Sequence, residues 1–356
     1  MNHTDWDTII LGQGLAGSLL AWNLIQRGQR VLILDQAHQS SASRIAAGLI
    51  NPVTGKRLVK QKNTNAFLAA ALSQYTHLKD QFNVTFFHSK PMMRLFKTEN
   101  ERTVYTKRIN DPDYQKYLGN DFSTSSNPLI NNPYGGFNQD HTGYLDITVL
   151  LDNLKHYFIK HDCYLNRDIE YSQIIPGNRT ISVGDLHANR IIFCEGYKAT
   201  SNPWFNWLPF KLAKGEILTL TTKSTLPDTI INTGKWLLPI DKHTCKFGAT
   251  YQWHDLNEQV TQEAKTELLS AINHLFKNDL SFKITKQEAG IRPCTKDTSP
   301  YIGLHPQLPS LGFFNGFGSR GSLLIPYYAQ HFCEHLLHHQ PLDQGVDITR
   351  YWNTDA

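Results

Sequence analysis

Apolar, small and polar residues follow one another along the first 35 residues in a pattern that predicts a strand, a helix and a second strand. Residues 8–11 are a short apolar run of the kind that forms a buried parallel strand. A helix is expected over about 15–27, where Gly28 ends it, and residues 30–34 predict the second strand. A β-α-β unit of this kind begins a doubly wound α/β domain.

Helical spacing of apolar residues recurs in three later segments. It predicts amphipathic helices over 63–82 and 261–278. A third helix is expected in the segment that begins at Gly143. Its apolar side carries Leu150, Leu151, Leu154, Phe158 and Ile159.

Other segments read as strands or as a loop. Two short strands are expected within 84–97, a buried parallel strand over 189–196 and antiparallel strands within 211–253. Residues 110–138 contain many Asn, Asp, Pro and Gly and show little periodicity. They are expected to form a long loop over the surface or the mouth of a site.

Length and composition restrict the class of protein. The chain has 356 residues, of which 40% are hydrophobic, and this length favours two lobes. The net charge of +4 permits an anionic partner without requiring one. The sequence shows no apolar stretch of membrane-spanning length and no basic start of a secretory signal. Five cysteines without a C-x-x-C pair fit a reducing compartment, so a cytoplasmic protein is expected.

Three glycines follow the first predicted strand at the spacing of a dinucleotide-binding turn. Gly12 lets the backbone reverse, Gly14 leaves room for a pyrophosphate, and Gly17 lets the helix pack close to the strand. Asp35 follows the second strand, where an acid accepts hydrogen bonds from ribose hydroxyls and disfavours a 2′-phosphate. The pattern predicts an adenosine diphosphate site and leaves open whether nicotinamide or flavin is attached.

Small residues continue in the segment 45–57. There Ala46, Ala47 and Gly48 would let a flat ring lie against the backbone, although a turn without a binding role has the same composition. The pattern S-A-S-x-x-A-A-G-L-x-x-P, over 41–52, resembles the segment that lines the flavin in the D-amino-acid oxidase family. The strand ending at Gly196 resembles the strand that closes the adenosine site in that family. The resemblance implies that the dinucleotide is FAD.

A second set of glycines precedes a helix predicted over 322–337. Gly316, Gly318 and Gly321 again have G-x-G-x-x-G spacing, but no strand ending in an acid follows them. We therefore interpret this turn as a helix N-terminus directed at the flavin ring. The partial positive charge of such a terminus stabilises negative charge that develops on a ligand.

Two arginines stand on constrained turns near the C-terminus. Arg292 precedes a proline, and Arg320 lies between two of the glycines at the start of the helix. A guanidinium in such a turn is suited to hold a carboxylate by two parallel hydrogen bonds. The alternative for either arginine is a structural ion pair with Glu288 or Asp297.

The surrounding sequence extends the resemblance. The pattern A-G-x-R-P-x-T-K-D-x-x-P-Y-I-G, over 289–303, is similar to the glycine oxidase branch of the family. In that branch the arginine that matches Arg292 binds the substrate carboxylate, and one that matches Arg320 assists it. The spelling G-S-R-G around Arg320 resembles the flavin domain of the bacterial bifunctional enzyme that matures the wobble uridine of tRNA. Trp236 and Tyr251 lie in segments that resemble the family's sheet over the substrate cavity.

The resemblance implies a fold class, α/β, with a Rossmann-like FAD-binding domain and a second α+β substrate domain built on a mixed or antiparallel sheet. Residues 1–60, 141–210 and 286–356 are expected to form the first domain, and residues 61–140 and 211–285 the second. The implied reaction is oxidation of the C–N bond of a primary or secondary amine that carries a carboxylate. Hydride passes to flavin N5, and the imine is then hydrolysed. The implied alternative is oxidative removal of the carboxymethyl group from carboxymethylaminomethyl-uridine in tRNA.

Site residues follow from the motifs and the resemblance together. The residues expected at the reacting centre are Arg292, Arg320, Tyr251 and Trp236. The residues expected to bind FAD non-covalently are Gly12, Gly14, Leu15, Ala16, Gly17, Asp35, Gln36, Ser43, Ala47, Gly48, Leu49, Gly196, Gly318, Ser319 and Gly321.

Other interpretations stay open. The basic residues of 90–108, with Phe96 and Tyr105 among them, are typical of either a nucleic-acid surface or a solvated edge. A protein that holds a flavin without turnover and a nicotinamide dehydrogenase are two further alternatives. The sequence H-x-x-E-H at 331–335 matches a zinc motif, but it belongs to the helix behind the second glycine turn, and no metal is expected. Cys294 is expected to be a free thiol.

Overall fold

The structure, a computed structural model, describes residues 5–36, 41–123, 128–177, 180–277 and 280–352. Three predicted segments extend beyond these ranges. Residues 37–40, in the polar segment that is expected to form a loop after Asp35, residues 124–127 of the predicted loop 110–138 and the predicted helix end at Asn278 lie outside the described residues.

The helices of the described ranges agree with the predicted periodic segments and add short ones between them. They are α1 (Leu15–Ile25), α2 (Ala42–Ile45), α3 (Thr64–Phe82), α4 (Glu99–Ile109), α5 (Pro112–Gln115), α6 (Ile147–Lys160), α7 (Gln262–Leu275) and α8 (Gly321–His338). Short 3-10 helices are formed by Tyr171–Gln173, Gly196–Ser201 and Ile348–Tyr351.

The strands are numbered in chain order. They are β1 (Trp6–Leu11), β2 (Val31–Asp35), β3 (Leu49–Ile50), β4 (Val53–Thr54), β5 (Val59–Lys60), β6 (Phe87–Ser89), β7 (Met92–Leu95), β8 (Leu118–Phe122), β9 (Gly136–Gln139), β10 (Gly143–Leu145), β11 (Tyr164–Asn166), β12 (Ile174–Pro176), β13 (Ile181–Val183), β14 (Leu186–Phe193), β15 (Ala213–Thr222), β16 (Ile230–Asn232), β17 (Trp236–Pro239), β18 (Thr244–Gly248), β19 (Phe282–Arg292), β20 (Tyr301–Leu304) and β21 (Leu311–Asn315).

The first large sheet contains the predicted β-α-β unit. Strands β11, β2, β1, β14 and β21 are parallel neighbours in that order, while β12, β13 and β20 pair antiparallel at its margins. Helix α1 packs against α6 and α8 on one face, and its Trp22 is buried against the rings of Phe82 and Tyr157. This arrangement confirms the predicted Rossmann-like fold, because the carboxyl ends of β1, β2, β14 and β21 share one edge.

The second large sheet has the order β19-β15-β18-β17-β16-β7-β9-β8. All of its pairs are antiparallel except β16 with β7, so it is the mixed sheet that was expected. Helix α7 packs on β15 and β18, with Leu268 and Ile272 fully buried. Strand β19 continues to Arg292, which brings the end of this sheet to the edge of the first one. The boundaries proposed for the two domains stay a prediction.

The prediction of a long loop over 110–138 was wrong in part. That segment contains α5, β8 and the start of β9, and β9 pairs with β7. Phe137 of β9 is fully buried and contacts the rings of Phe96 and Tyr105. The strands escape local pattern analysis because their partners are distant in sequence, and the polar residues between them have no helical or alternating period.

One smaller expectation was also wrong. Ile159 of α6 is 50% exposed, although Leu150, Leu151, Leu154 and Phe158 are fully buried. Phe96 and Tyr105 are each 4% exposed, so neither ring is available to stack on a nucleic-acid base from the basic segment 90–108. Among the described residues, no helix has both the length and the apolar content to cross a bilayer.

Candidate functional site

A cleft of about 990 Å³ lies where the two sheets meet. One end of its lining is formed by the glycine turn after β1 and by the end of β2, and the other end by Trp236 and Arg292 of the second sheet. A cavity of this size suits a large cofactor together with a small substrate.

The glycine turn after β1 has the geometry that its sequence predicts. Gly12 has φ of +104°, and a Cβ placed on it would lie 2.7 Å from the carbonyl oxygen of Cys194. A Cβ on Gly17 would lie 2.0 Å from the carbonyl oxygen of Gly12, so Gly17 permits close packing of α1 and lies behind the cleft lining. Gly14 caps α1 without a side-chain hydrogen bond and faces the cleft. The start of α1 therefore fits an anion such as a pyrophosphate.

Asp35 is joined to this turn. Its Oδ1 accepts a hydrogen bond of 2.9 Å from the backbone N–H of Gln13, and the residue lines the cleft beside Gln36. Lys198 Nζ donates to Gln36 Oε1 at 3.3 Å. The end of β2 thus places the carboxylate of Asp35 beside the glycine turn, in the position where an acid accepts hydrogen bonds from a ribose.

The segment of small residues forms the next wall. Ser43 Oγ accepts a hydrogen bond of 3.2 Å from the Leu15 N–H and thereby ties α2 to the start of α1. Gly48 has φ of +68°, and a Cβ there would be 2.0 Å from the carbonyl oxygen of Leu145, so β10 approaches as closely as glycine allows. The wall against which a flat ring would lie is therefore backbone.

The second glycine turn approaches the same cleft from the opposite side. Gly318 donates its N–H to the carbonyl of Pro293 at 3.3 Å, and a Cβ on Gly318 would be 3.3 Å from Cys294 Sγ. Helix α8 starts at Gly321 with no acidic residue in its first turn and no side-chain cap. Its positive end therefore faces the cleft, and its first turn carries no acid of its own to neutralise it.

The residues that were assigned to cofactor binding are nearly all brought together here. The cleft is lined by Gly12, Gly14, Leu15, Ala16, Asp35, Gln36, Ser43, Ala47, Gly48, Leu49, Gly196, Gly318, Ser319 and Gly321.

Arg292 is the last residue of β19 and pairs with Ala213 of β15, so the prediction that it stands on a turn was wrong. Its guanidinium lines the cleft. Both of its terminal nitrogens are 3.4 Å from the carbonyl oxygen of Thr250, and the ring of Tyr251 covers it with 5.1 Å between Cζ and the ring centre. Burial lowers the pKa of Arg292 from its ordinary value, while the nearby Cys294 and Tyr251 act in the opposite direction. A desolvated guanidinium with carbonyl and aromatic partners is prepared to bind a carboxylate.

Arg320 has a similar environment. Its Nη2 donates to the carbonyl of Thr298 at 2.8 Å, and burial lowers its pKa. The ion pairs that were the alternative for these arginines are made by other residues: Glu288 pairs with Lys286 at 2.6 Å and Asp297 with Arg350 at 2.9 Å. Across the part of the chain that the structure describes, Arg292 and Arg320 have no carboxylate within 4 Å.

The two aromatic residues have different positions. Trp236 lines the cleft, whereas Tyr251 lies beyond the end of β18, is 50% exposed and covers Arg292 from outside. The hydroxyl of Tyr251 is 3.5 Å from Cys294 Sγ, and burial together with this thiol raises the pKa of Tyr251 to about 12. Tyr251 is therefore a neutral phenol at neutral pH. Cys294 is a free thiol.

Sequence reasoning missed several residues of the cleft. Gly215 and Gly290 are cross-strand partners on β15 and β19, and together they leave a flat floor beside Arg292. The sequence feature that could have identified them is a glycine in each of two segments that form facing strands, K-G-E at 214–216 and A-G-I-R at 289–292. Glu195 follows β14, accepts hydrogen bonds from Tyr171 at 2.8 Å and Asn202 at 3.1 Å, and has a pKa raised to about 6 by burial.

The zinc-like motif on α8 is engaged in other contacts. His331 Nε2 accepts the backbone N–H of Asp343, Glu334 pairs with Arg27, and His335 Nδ1 is 2.8 Å from the carbonyl of Gln340. No group of three potential ligands for a metal occurs within the described ranges.

Comparison with known proteins gives a consistent result. A family model described as DAO, FAD dependent oxidoreductase, matches residues 7–335. A glycine oxidase of Bacillus licheniformis is 24% identical over 353 residues, which are 93% of this chain and 93% of that protein. A tRNA 5-methylaminomethyl-2-thiouridine biosynthesis bifunctional protein of Marinobacter nauticus is 23% identical over 350 residues, which are 92% of this chain and 55% of that protein. The chain thus spans about half the length of this second relative.

Solved structures share the fold. A glycine oxidase from Bacillus cereus has a TM-score of 0.79 at 19% identity, covering 95% of this chain and 96% of that one. An iminodiacetate oxidase from a Chelativorans species has a TM-score of 0.78 at 19% identity, covering 97% and 98%.

Proposed function

Because this chain belongs to the DAO family of FAD-dependent oxidoreductases, we propose that it oxidises the C–N bond of a primary or secondary amine that also carries a carboxylate. The observation that carries the proposal is the guanidinium of Arg292. It is partly buried in the cleft, is held by a carbonyl and an aromatic ring, and has no carboxylate partner among the described residues.

The cleft fits the cofactor of the family. The uncapped start of α1 at Gly14 suits the pyrophosphate, Asp35 suits the ribose, and the backbone wall at Gly48 suits a flat ring. When bound, FAD supplies the acceptor for the hydride that leaves the carbon of the neutral amine, and water hydrolyses the resulting imine. The positive end of α8 stabilises negative charge that develops in the cleft.

The roles of the residues around the substrate follow from their chemistry. Arg292 and Arg320 hold the carboxylate and so fix the position of the adjacent carbon. Tyr251 shields Arg292 from water, which strengthens the ion pair with the carboxylate. Trp236 and Ile217 provide an apolar floor for the remainder of the substrate. A protein base is not required, because the neutral amine already carries the lone pair that stabilises the product.

Anaerobic mixing of the FAD-loaded protein with a panel of amines tests the proposal. Glycine, sarcosine and iminodiacetate are expected to bleach the flavin absorbance. The corresponding amines without a carboxylate are expected to bleach it less. A protein whose flavin is bleached by none of the amines would be a flavin-binding module without this activity. Bleaching that does not depend on the carboxylate would remove Arg292 from its proposed role.

A second candidate is supported by the similarity to the tRNA biosynthesis protein, which covers 92% of this chain. In this alternative the same arginines hold the carboxymethyl group of carboxymethylaminomethyl-uridine in tRNA. Contact with RNA phosphates releases counterions, so activity on tRNA should fall steeply between 50 and 200 mM salt, by roughly 10³-fold if about six phosphates are contacted. Activity on free amino acids has no such dependence, and this difference separates the two candidates.

A further inference from the structure

A second, smaller cavity adjoins the cleft on the side away from the glycine turn. This side groove has a volume of about 210 Å³ and shares Asn51, Thr54 and Asn232 with the lining of the cleft. Its remaining wall carries Lys56, Arg94, Lys97 and Glu101. It is large enough for an oxyanion such as a phosphate together with several waters.

The charged side chains of the side groove leave an excess of positive charge. Arg94 Nη2 donates to the carbonyl of Gly55 at 2.5 Å, and burial lowers the pKa of Arg94 while Glu101 raises it. The carboxylate of Glu101 accepts the backbone N–H of Lys97 at 3.0 Å. The lining of the side groove therefore contains three cationic side chains and one carboxylate. None of the three makes an ion pair within 4 Å in the part of the chain that the structure describes.

Strand register places this charge on the same sheet face as the proposed carboxylate site. Trp236 pairs with Asn232, and Asn232 pairs with Arg94, so the three side chains form a row across β17, β16 and β7. Trp236 also pairs with Gly248, whose partner on β15 is Ile217. The row thus continues from the floor of the cleft into the side groove without a break.

The row also sets the distance between the two positive sites. The guanidinium of Arg292 lies over Gly215 of β15, and β7 is four strands away from β15. With roughly 4.8 Å between neighbouring strands, the backbones that carry these sites are about 19 Å apart, and Trp236 and Arg94 are about 10 Å apart. A free glycine bound at Arg292 is far too short to reach the side groove.

We infer that the side groove binds a second oxyanion of the substrate, carried on the far side of the amine nitrogen from the carboxylate that Arg292 holds. This inference rests on the proposed function. The substrate class is then an elongated amine with a carboxylate at one end and a phosphate or a second carboxylate roughly 10–20 Å away. Burial of Arg94 makes its contribution larger than that of an exposed surface charge.

Synthetic N-substituted glycines test this inference with the FAD-loaded protein. Three series of equal chain length end in a phosphonate, a carboxylate or a hydroxyl group. Binding is measured anaerobically by quenching of tryptophan fluorescence, and flavin bleaching is measured in the same samples. At chain lengths that span about 10 Å, at least one anionic series should bind about ten- to a hundredfold more tightly than the hydroxyl series. The stronger series identifies phosphate or carboxylate as the preferred group.

Two variants locate the effect. Arg94→Gln should abolish the preference for the anionic series and leave binding of the hydroxyl series unchanged. Lys97→Gln, which alters an exposed residue and leaves the contact of Arg94 with Gly55 in place, should reduce the preference by several fold. Lys107→Gln is the matched control. Lys107 is an exposed lysine of α4 outside the side groove, and its replacement should leave the preference for the anionic series intact.

The outcomes separate this inference from the proposed function. Equal binding of all three series by the unmodified protein, or a preference that survives in both Arg94→Gln and Lys97→Gln, overturns the side groove as a subsite. If the anionic preference depends on Arg94 and no compound bleaches the flavin, the subsite stands and the proposed oxidation falls. If compounds bleach the flavin but the anionic series bind no more tightly than the hydroxyl series, the proposed oxidation stands and the subsite falls.

Discussion

The guanidinium of Arg292 lies directly over Gly215, in space that any side chain at position 215 would fill. A Cβ placed on Gly215 would be 2.0 Å from Nη2 and 2.4 Å from Cζ of Arg292. Because these atoms are at the end of a flexible side chain, a larger residue would displace the guanidinium without breaking the strand pair. The absence of a side chain on one strand thus positions the charge carried by its neighbour.

Gly215→Ala is therefore expected to impair carboxylate binding while it leaves the fold and the flavin content intact. Displacing the guanidinium by about 1 Å should raise KM for carboxylated amines at least tenfold, since geometry of this kind governs reactivity. Steady-state kinetics and the flavin-to-protein absorbance ratio measure the two effects. Gly345→Ala, at a position with no atom within 4 Å of the added carbon, is the control. An unchanged KM would show that the guanidinium does not need its present position.

Removal of the charge itself should have a larger effect. Arg292→Ala should cost about 1.5–3 kcal/mol of charge-assisted binding, which lowers kcat/KM for carboxylated amines roughly ten- to a hundredfold. Arg30→Ala is the control. It removes the arginine of the exposed ion pair with Asp7, far from Arg292 in sequence, and should leave kcat/KM unchanged. Normal turnover in the Arg292 variant would place the carboxylate elsewhere.

The glycine turn offers a test that does not depend on turnover. Gly14→Val should abolish retention of FAD, because the added side chain takes the space proposed for the pyrophosphate. The variant should still fold, since Gly14 has φ of −73° and the first added carbon meets only the Ser43 hydroxyl, at 3.3 Å. Absorbance near 450 nm after gel filtration reports the bound flavin. A yellow variant would contradict the assignment of this turn to the phosphates.

Glu195 predicts a pH dependence of stability. Burial raises the pKa of this carboxyl from 4.5 to about 6, so the folded protein keeps the proton to a higher pH than the unfolded chain does. The stabilising contribution is complete below pH 4.5 and is lost as pH rises through about 6, with an upper limit of about 2 kcal/mol. Urea unfolding of the protein and of Glu195→Gln between pH 4 and 7 measures the difference in free energy of unfolding. That difference should change across this window and be constant above it. A constant difference at every pH would show that Glu195 has an ordinary pKa.

Local sequence was enough to predict much of the architecture. The helices α1, α3, α6, α7 and α8 appear in the predicted segments because the glycine turns before α1 and α8 and the apolar spacing of α3, α6 and α7 depend on residues a few positions apart. The prediction of a loop over 110–138 failed at β8 and β9. Phe137 of β9 is buried by Phe96 and Tyr105, which lie some 30 to 40 residues earlier in the chain. Ile159 has the apolar character of its neighbours, but a helix turns by about 100° per residue, so Ile159 lies off the buried stripe that ends at Phe158.

By itself, the sequence determined the glycine turn, the acid that follows it and the arginine at the start of α8, because glycine conformation and turn chemistry are set within a few residues. Only the tertiary structure decided that Arg292 lies over Gly215, that Tyr251 covers it, and that Arg94 continues the row of Trp236 and Asn232. These relationships come from strand order and register. Pairing of strands far apart in the chain depends on the packing of the whole sheet, and no local pattern records it.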